Sequence, residues 1–365
     1  MIPRATDTAG AGTGEGAVFV IGLGSYLPGA PVTNDVIAAR LPNVPVRDLM
    51  NYFGVEQRHF VVSPETGERA EPDLGTAEMA CRAARAALAD ADMSPDEIDL
   101  IITTTATPDL IMPPVARQLQ RRLGVERAQL CDLRGGCAAA IQGLILAQTL
   151  IRSGRARTAL ICGAECMSPY YYDERLLRNA APNSSDMING LIFADGAAAM
   201  VVGGRRAAQA RGRALAIGYC NAVSTHPDEQ EGLLIGPDEK KLIPVQTTHN
   251  HKIISRLLPR IVGAAVTDLV ENGGRDAEDY GTIIVPQANR SLMNMIVPEL
   301  VMGLDGLMYY IGDRTANIPG AAMVMALDFA VRSGRVSAGG PPVGVVAAET
   351  ASWTYAVVDL AAMAA

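Results

Sequence analysis

Long apolar runs, basic tracts and a secretory signal are all missing from this sequence of 365 residues. A helix that crosses a bilayer needs about 20 consecutive apolar residues, and no stretch here is that long. General nucleic-acid binding needs clustered lysine and arginine, whereas the net charge here is −8 and no basic cluster stands out. We therefore predict a cytoplasmic protein that binds neither membranes nor nucleic acids.

Metal and cofactor motifs are also missing. The six cysteines form no CxxC pair and no cluster with the four histidines, which argues against a zinc site. In a chain of this length, scattered cysteines indicate free thiols in a reducing compartment. Gly22 and Gly24 match part of a dinucleotide fingerprint, but the residues after them do not begin a helix, as that fingerprint requires. The prediction is a protein with no metal and no bound cofactor.

About half of the residues are apolar and few are aromatic, which is typical of a globular protein rich in Ala, Val, Leu and Ile. Residues 1–16, rich in Ala, Gly and Thr, are predicted to be a flexible tail. The remaining chain alternates buried strands with helices, which indicates mostly parallel sheets covered by helices.

The second part of the chain repeats the order of the first. Apolar strands are predicted at 18–24, 99–105 and 158–165, and again at 213–219, 281–286 and 343–349. A helix predicted at 75–92 has its counterpart at 252–271. The spacing of about half the chain indicates a duplicated α/β unit, with halves at 17–205 and 206–365. We expect the site at the seam between these halves.

The stretch 131–144, CDLRGGCAAAIQGL, is predicted to be a strand end, a tight Gly-Gly turn and the start of a helix. Cys137 lies where the turn becomes the helix. Backbone N–H groups at a helix N-terminus favour a thiolate over a thiol, which indicates a nucleophile. The alternative is a buried structural thiol, the role we assign to Cys81, Cys162, Cys166 and Cys220.

Several segments together resemble β-ketoacyl-acyl-carrier-protein synthase III, a family with the thiolase-like fold. They are the Cys137 turn, the segment FADGA at 193–197, the loop VPQAN at 285–289, the Gly312-Asp313 loop and a closing strand at 348–355. The resemblance extends from about residue 17 to the end. It implies duplicated βαβαβαββ halves in a five-layered α-β-α-β-α core, a homodimer, and acylation of a cysteine by a thioester donor.

The resemblance also assigns roles to individual residues. Cys137 is the acyl-accepting nucleophile, and the N–H groups of Cys137 and Ala351 form the oxyanion hole. Met112 is placed where the family has a residue that closes the acyl pocket of the dimer partner. Pro286, Gln287 and Asn289 are expected to bind substrate, although Gln287 and Asn289 could instead only hold their loop.

Two departures from the family pattern decide the predicted reaction. The family decarboxylates malonyl carrier protein with a histidine in a VPHQAN loop and an asparagine after glycine. This chain has Pro286-Gln287 without the histidine, and Asp313 in place of the asparagine. Both family side chains donate hydrogen bonds to an enolate, and the loss of one such donor costs about 10²–10³ in rate. Carbon–carbon bond formation is therefore disfavoured. Asp313 would orient or deprotonate an acceptor, and the alternative is an ordinary loop residue, because Asp favours turns.

The predicted function is that of an acyltransferase of EC 2.3.1 type in secondary metabolism, similar to the non-elongating branch of the family. An acyl carrier protein would supply the acyl group on its phosphopantetheine arm, because the family's coenzyme A-binding Trp and Arg are not matched near 48–54. The acceptor would be an amine or hydroxyl of a small aminocyclitol or sugar. The alternatives are a decarboxylative synthase III and a non-catalytic subunit that binds carrier protein.

Other polar residues have competing interpretations. Glu165 and Glu349 end equivalent strands and are assigned a structural role, because buried carboxylates need partners. His226, His249 and His251 are interpreted as loop or surface residues, with replacement of the family histidine as the alternative. Tyr170–Tyr172 either line the acyl channel or have a structural role, and Arg134 either shapes its turn or pairs with an acid.

Overall fold

The computed structural model describes residues 16–172, 184–210, 214–237, 245–296 and 306–363. Residues 1–15 of the predicted tail lie outside the described residues. In the part that is described, no helix is both long and apolar enough to cross a membrane.

Fourteen strands are described. They are β1 Val18–Tyr26, β2 Val32–Thr33, β3 Gln57–Arg58, β4 Leu100–Thr104, β5 Gln129–Leu133, β6 Thr158–Glu165, β7 Gly196–Gly204, β8 Leu215–Ser224, β9 Leu233–Pro237, β10 Val245–His249, β11 Thr282–Ile284, β12 Met308–Tyr309, β13 Val343–Ala348 and β14 Thr354–Ala362.

Twelve α-helices are described. They are α1 Asn34–Arg40, α2 Val46–Phe53, α3 Thr76–Asp90, α4 Val115–Leu123, α5 Ala139–Arg152, α6 Ser168–Tyr172, α7 Ser184–Ile192, α8 Arg205–Gln209, α9 His251–Gly273, α10 Arg290–Ile296, α11 Gly312–Thr315 and α12 Ala322–Arg332.

The sheet confirms the predicted duplication. Ten strands follow the order β12-β11-β13-β14-β8-β1-β7-β6-β4-β5. Read outward from the centre of the sheet, the first half has the strand order β1-β7-β6-β4-β5 and the second half has the order β8-β14-β13-β11-β12. Each strand of one half thus has an equivalent strand in the other half. The halves meet through β1 and β8, where Phe19 pairs with Ala216 and Val20 with Leu215.

The prediction of mostly parallel sheets is wrong. Four of the nine pairings in the ten-stranded sheet are parallel, namely those of β4 with β5 and β6 and those of β11 with β12 and β13. The other pairings in the ten-stranded sheet are antiparallel, including β6 with β7 and β13 with β14. The physical reason is clear at β13 and β14, because the connection of five residues between them is too short for a crossover helix and forms a hairpin.

Helices cover and separate the sheet halves in five layers. The α3 and α4 helices lie outside the first half, and α9 lies outside the second. Between the two halves, α5 contacts strands of both, and α12 does the same. Gly163 allows the two halves to pack closely at the seam, because a Cβ atom at this position would lie 1.8 Å from the backbone oxygen of Gly320.

Where the local sequence pattern is strong, the predicted ends of strands and helices agree with the structure. The predicted strand 158–165 is β6, and the predicted C-cap Gly124 ends α4 with a left-handed φ of 77°. The predicted strand 348–355 is corrected, because β13 ends at Ala348 and β14 begins only at Thr354. The Glu349 carboxylate holds the intervening turn by accepting hydrogen bonds from its backbone.

Candidate active site

Cys137 lies in the single turn Gly136–Ala138, directly before α5. Gly136 has a φ of 50°, which favours glycine, and a Cβ atom there would come within 3.2 Å of the Glu349 side chain. The turn faces a cavity of about 290 Å³ at the seam, as predicted. Side chains from both halves line it, including Cys137, Phe193, His249, Asn289, Asn317 and Glu349.

The thiol of Cys137 is closest to an amide side chain. Its Sγ lies 3.8 Å from Oδ1 of Asn317. Burial, followed by the charges of Glu349 and Glu165, raises the pKa of the thiol from 9.0 to about 12. This direction is opposite to the shift that the helix N-terminus was predicted to favour. Desolvation and two carboxylates outweigh the helix dipole.

Glu349 holds the turn between β13 and β14. Its carboxylate accepts hydrogen bonds from the N–H groups of Ala351 at 2.6 Å, Ser352 at 2.9 Å and Thr354 at 3.2 Å, and from the Ser352 hydroxyl. The residue is only 4% exposed. The predicted structural role of Glu349 is confirmed. However, the Ala351 N–H is already bonded, so the structure does not leave it free as the predicted oxyanion donor.

Glu165 occupies the equivalent position in the first half. This fully buried carboxylate accepts from the N–H groups of Ala106 and Gly320 at 3.0 Å and from the Thr107 hydroxyl at 2.7 Å. Its bond to Gly320 crosses the seam. The predicted structural role is confirmed here too, since each carboxylate is satisfied by backbone and hydroxyl donors.

The loop 285–289 only partly matches the predicted substrate contacts. Pro286 and Asn289 line the cavity. Gln287 is buried and does not line it. Its Nε2 donates to the carbonyls of Val285 and Tyr309, and its Oε1 accepts from the Ile311 N–H at 2.7 Å. Gln287 is therefore a loop-holding residue, which was the alternative interpretation.

Asp313 is not among the residues that line the cavity. Its carboxylate accepts from the N–H of Arg314 at 3.0 Å and lies 3.8 Å from that guanidinium. The prediction that Asp313 orients the acceptor lacks geometric support, because this residue lies in the first turn of α11, away from Cys137. Asn317, four residues later, is the side chain that reaches the thiol.

The Asp313→Asn variant is accordingly expected to retain acyl transfer to within about twofold of the unmodified protein. The exposed pair with Arg314 contributes little, as is usual for surface ion pairs. Transfer rates of the two proteins, measured side by side, check this. A loss of 100-fold or more would restore Asp313 to the site.

Two histidines that the sequence analysis interpreted first as loop or surface residues line the cavity. His249, at the end of β10, and His251, at the start of α9, both line the cavity that contains Cys137. His226 does not, and its Nδ1 contacts the Thr225 hydroxyl at 2.9 Å. The sequence His249-Asn250-His251 does not by itself indicate that these side chains line the cavity. The pairing of β10 with β9 brings them to the seam only in the tertiary structure.

The structure also places the other residues whose roles were predicted from the sequence. Arg134 shapes its turn, donating to the Thr105 carbonyl at 2.7 Å. Tyr171 and Tyr172 are buried in the core, and Tyr170 lines a different cavity. Met112 is 75% exposed, so its predicted contact with a dimer partner stays a prediction. The cysteines are all free.

Comparison with known proteins agrees with this architecture. Residues 131–218, about a quarter of the chain, match the sequence profile of the family described as 3-oxoacyl-[acyl-carrier-protein] synthase III. A solved structure described as the tetronic acid condensing enzyme AbyA1 is 26% identical, with a TM-score of 0.83, and the alignment covers 94% of this chain and 99% of that one.

Two further structures show the same likeness. 3-Oxoacyl-(acyl carrier protein) synthase III, FabH, from Pseudomonas aeruginosa PAO1 is 25% identical over 96% of this chain and 99% of its own, with a TM-score of 0.77. The priming β-ketosynthase from the R1128 polyketide biosynthetic pathway is 25% identical over 94% and 96%, also with a TM-score of 0.77. The chain therefore has the thiolase-like fold, and it is similar in sequence and structure to ketosynthase III enzymes.

Proposed function

We propose that this protein is an acyltransferase that carries an acyl group on Cys137 and delivers it to an oxygen or nitrogen nucleophile. The observation that carries the proposal is the composition of the seam cavity. It contains the Cys137 thiol, no imidazole from the loop 285–289, and the Glu349 carboxylate beside the nucleophile's turn.

The first half-reaction moves the acyl group from the donor thioester to Cys137. The sulfur of Cys137 attacks the carbonyl carbon, a new C–S bond forms, the donor C–S bond breaks, and the thiol proton passes to the departing pantetheine sulfur. The oxyanion is held by the Cys137 N–H and, in place of the occupied Ala351 N–H, by the Nδ2 amide of Asn317, a residue whose Oδ1 lies 3.8 Å from Sγ.

Electrostatics disfavour a carbanion nucleophile in the second half-reaction. Decarboxylation of a malonyl group builds negative charge on an enolate oxygen, which needs hydrogen-bond donors. Glu349 instead places a carboxylate in this cavity, and its two imidazoles, those of His249 and His251, come from β10 and α9 and not from the loop 285–289. A neutral amine or hydroxyl acceptor builds no enolate, so its attack on acyl-Cys137 avoids this repulsion.

We infer that the donor is an acyl carrier protein and the acceptor a small polar molecule of aminocyclitol or sugar type. The segment 48–54 lacks the coenzyme A-gripping side chains of the family, and Tyr52, 65% exposed, lines the cavity there. Asn289 and Asn317 supply polar contacts within an otherwise largely apolar cavity. These features suit a short acyl chain and an acceptor with hydroxyl or amino groups.

Condensation is the second candidate, favoured by a specific observation. The structure at 26% identity is described as a condensing enzyme. In this alternative the acyl group on Cys137 would meet a carbon nucleophile.

Intact-mass analysis separates these candidates. After incubation with butyryl carrier protein, an adduct on Cys137 is expected, and malonyl carrier protein should release no carbon dioxide above the rate without enzyme. Rapid carbon dioxide release would support condensation. Absence of an adduct with every carrier-protein thioester tested would support the non-catalytic alternative.

A homodimer is proposed from exposed apolar side chains near the edge strand β5. Ile111 is 88% exposed and Met112 is 75% exposed, and Leu130 on β5 is 37% exposed. Large exposed apolar groups of this kind mark interaction surfaces.

We expect the Met112→Asp variant to shift the mass measured by light scattering from dimer towards monomer. Leu234→Asp, at an exposed apolar residue elsewhere, is the matched control and should remain dimeric. A monomeric unmodified protein would contradict the proposal.

A further inference from the structure

Three aromatic rings form a stack along one wall of the seam cavity. Phe193 and His249 have ring centroids 5.6 Å apart and planes inclined by 20°, and His249 and His251 are 5.4 Å apart with planes inclined by 16°. All three residues line the cavity. Phe193 is buried and His251 is exposed, so the stack runs from the core to the surface.

The buried end of this stack is tied to the residue that contacts the nucleophile. The N–H of Asn317 donates to the Ile192 carbonyl at 2.9 Å, and the Asn317 carbonyl accepts from the Ala194 N–H at 3.0 Å. Phe193 is therefore held beside the backbone of Asn317, whose side chain reaches Cys137.

The other two histidines of the chain lie away from this wall. His59 contacts the Pro28 carbonyl at 3.1 Å, and His226 contacts the Thr225 hydroxyl. Within the described part of the chain, His249 and His251 are thus the only imidazoles that line the cavity.

His249 carries an unused polar atom. Its Nδ1 is buried and has no hydrogen-bond partner among the described residues. Buried polar atoms in folded proteins nearly always have partners, and an exception in a ligand cavity indicates a group that the ligand satisfies. A nucleophilic hydroxyl or amine, which carries a proton to donate, is such a group.

We propose that His249 accepts the proton of the acceptor as it attacks acyl-Cys137. The inference rests on the proposed function and names the base of its second half-reaction. The acceptor's oxygen or nitrogen forms a bond to the acyl carbon, the C–S bond breaks, the acceptor's proton moves to the His249 imidazole, and the imidazolium returns a proton to the Cys137 sulfur. The products are the ester or amide and the free thiol.

The protonation state of His249 is compatible with this role. Burial, followed by the neighbouring charge of His251, lowers the pKa of His249 from 6.5 to about 4. The imidazole is therefore neutral above pH 5 and able to accept a proton. The titratable groups that line the cavity with it are Tyr52 of α2, Cys137, His251 of α9 and Glu349 of the β13–β14 turn.

The test follows the loss of a butyryl adduct from Cys137 by intact mass, with water and glycerol as hydroxyl probes. His249→Gln is compared with His226→Gln, a histidine outside the cavity. His226→Gln should acquire the adduct at the unmodified rate, and the loss from every protein is measured per molecule that carries the adduct. Loss of the adduct to water and glycerol is expected to fall by about 10²-fold or more in His249→Gln only, the size of a general-base contribution. Release by hydroxylamine, which needs no base, should be equal in all three proteins.

A pH series provides a readout that a structural role would not change. Between pH 5.5 and 8, the unmodified protein should lose its adduct to glycerol at a nearly constant rate, whereas His249→Gln should show the tenfold rise per pH unit of hydroxide attack. Equal rates in His249→Gln and the unmodified protein, or a tenfold rise per pH unit in the unmodified protein, would overturn the role of His249. The pH series on the unmodified protein decides the question even if the variant does not fold. An unmodified protein that forms no adduct would instead refute the proposed function.

Discussion

The Cys137→Ala variant is expected to lose acyl transfer by about 10⁴-fold or more, because it removes the only sulfur that faces the seam cavity within the described part of the chain. Intact-mass analysis with butyryl carrier protein should show no adduct. The fold should be retained, since alanine fits within the space of the thiol and the helix start consists of small residues. Thermal unfolding within a few degrees of the unmodified protein would verify this.

Cys131→Ser is the matched control for this experiment. Cys131 is a partly exposed free thiol on β5, six residues before Cys137 and outside the cavity. The control should take up the adduct at the unmodified rate. If Cys137→Ala still carried an acyl group and transferred it, the nucleophile would have to be assigned to another residue.

Glu349→Leu is expected to lower the stability of the fold strongly. The carboxylate is buried and satisfies three backbone N–H groups and one hydroxyl of a partly exposed turn. Leucine would leave these donors unpaired, and each buried unsatisfied group costs about 1–3 kcal/mol, so the free energy of unfolding should fall by about 3 kcal/mol or more. Chemical denaturation measured by circular dichroism tests this.

Glu349→Gln is the matched control, because its carbonyl oxygen retains part of the acceptor set. It should be less destabilised than Glu349→Leu. Its second readout is the alkylation rate of Cys137. Removing the negative charge lowers the pKa of the Cys137 thiol, since Glu349 is one of the causes that raise it, so iodoacetamide should react faster at pH 8. Equal stability of all three proteins would contradict the role of Glu349 in the turn.

Sequence patterns predicted those parts of this fold that depend on local signals. The continuous apolar run of β6 has the same bounds in the structure, and the duplication follows from repeated strand order. Glu165 and Glu349 were correctly paired, because each ends an equivalent strand. The turn around Cys137 was recognisable, since glycine with a left-handed φ and a following helix leave a clear residue pattern.

The chemistry within the cavity was less predictable, because it depends on where side chains point after folding. Asp313 matched the family position in sequence, but Asn317 reaches Cys137. The N–H of Ala351 was predicted to be free, but a side chain two residues earlier binds it. His249 ends β10, which pairs with β9, and it reaches the seam only in the folded chain. Its contacts could not be inferred from spacing.

The duplication also explains how one fold supports the proposed chemistry. The two halves place equivalent carboxylates, Glu165 and Glu349, at the seam, and both raise the pKa of Cys137. The raised pKa leaves less of the Cys137 thiol ionised at neutral pH than in an ordinary cysteine. We therefore expect the Cys137 thiol to resist nonspecific oxidation and alkylation in the free protein. It should react mainly by attacking the carbonyl carbon of a bound thioester.

The fate of the acyl group in a direct competition tests the central claim most directly. Protein carrying a labelled butyryl group on Cys137 is mixed with malonyl carrier protein and with a small amino alcohol at equal concentrations. Mass spectrometry of the products should find the label in an amide or ester of the amino alcohol, with no release of carbon dioxide. Label in a β-ketoacyl carrier protein, with one carbon dioxide released per acyl group, would contradict the account.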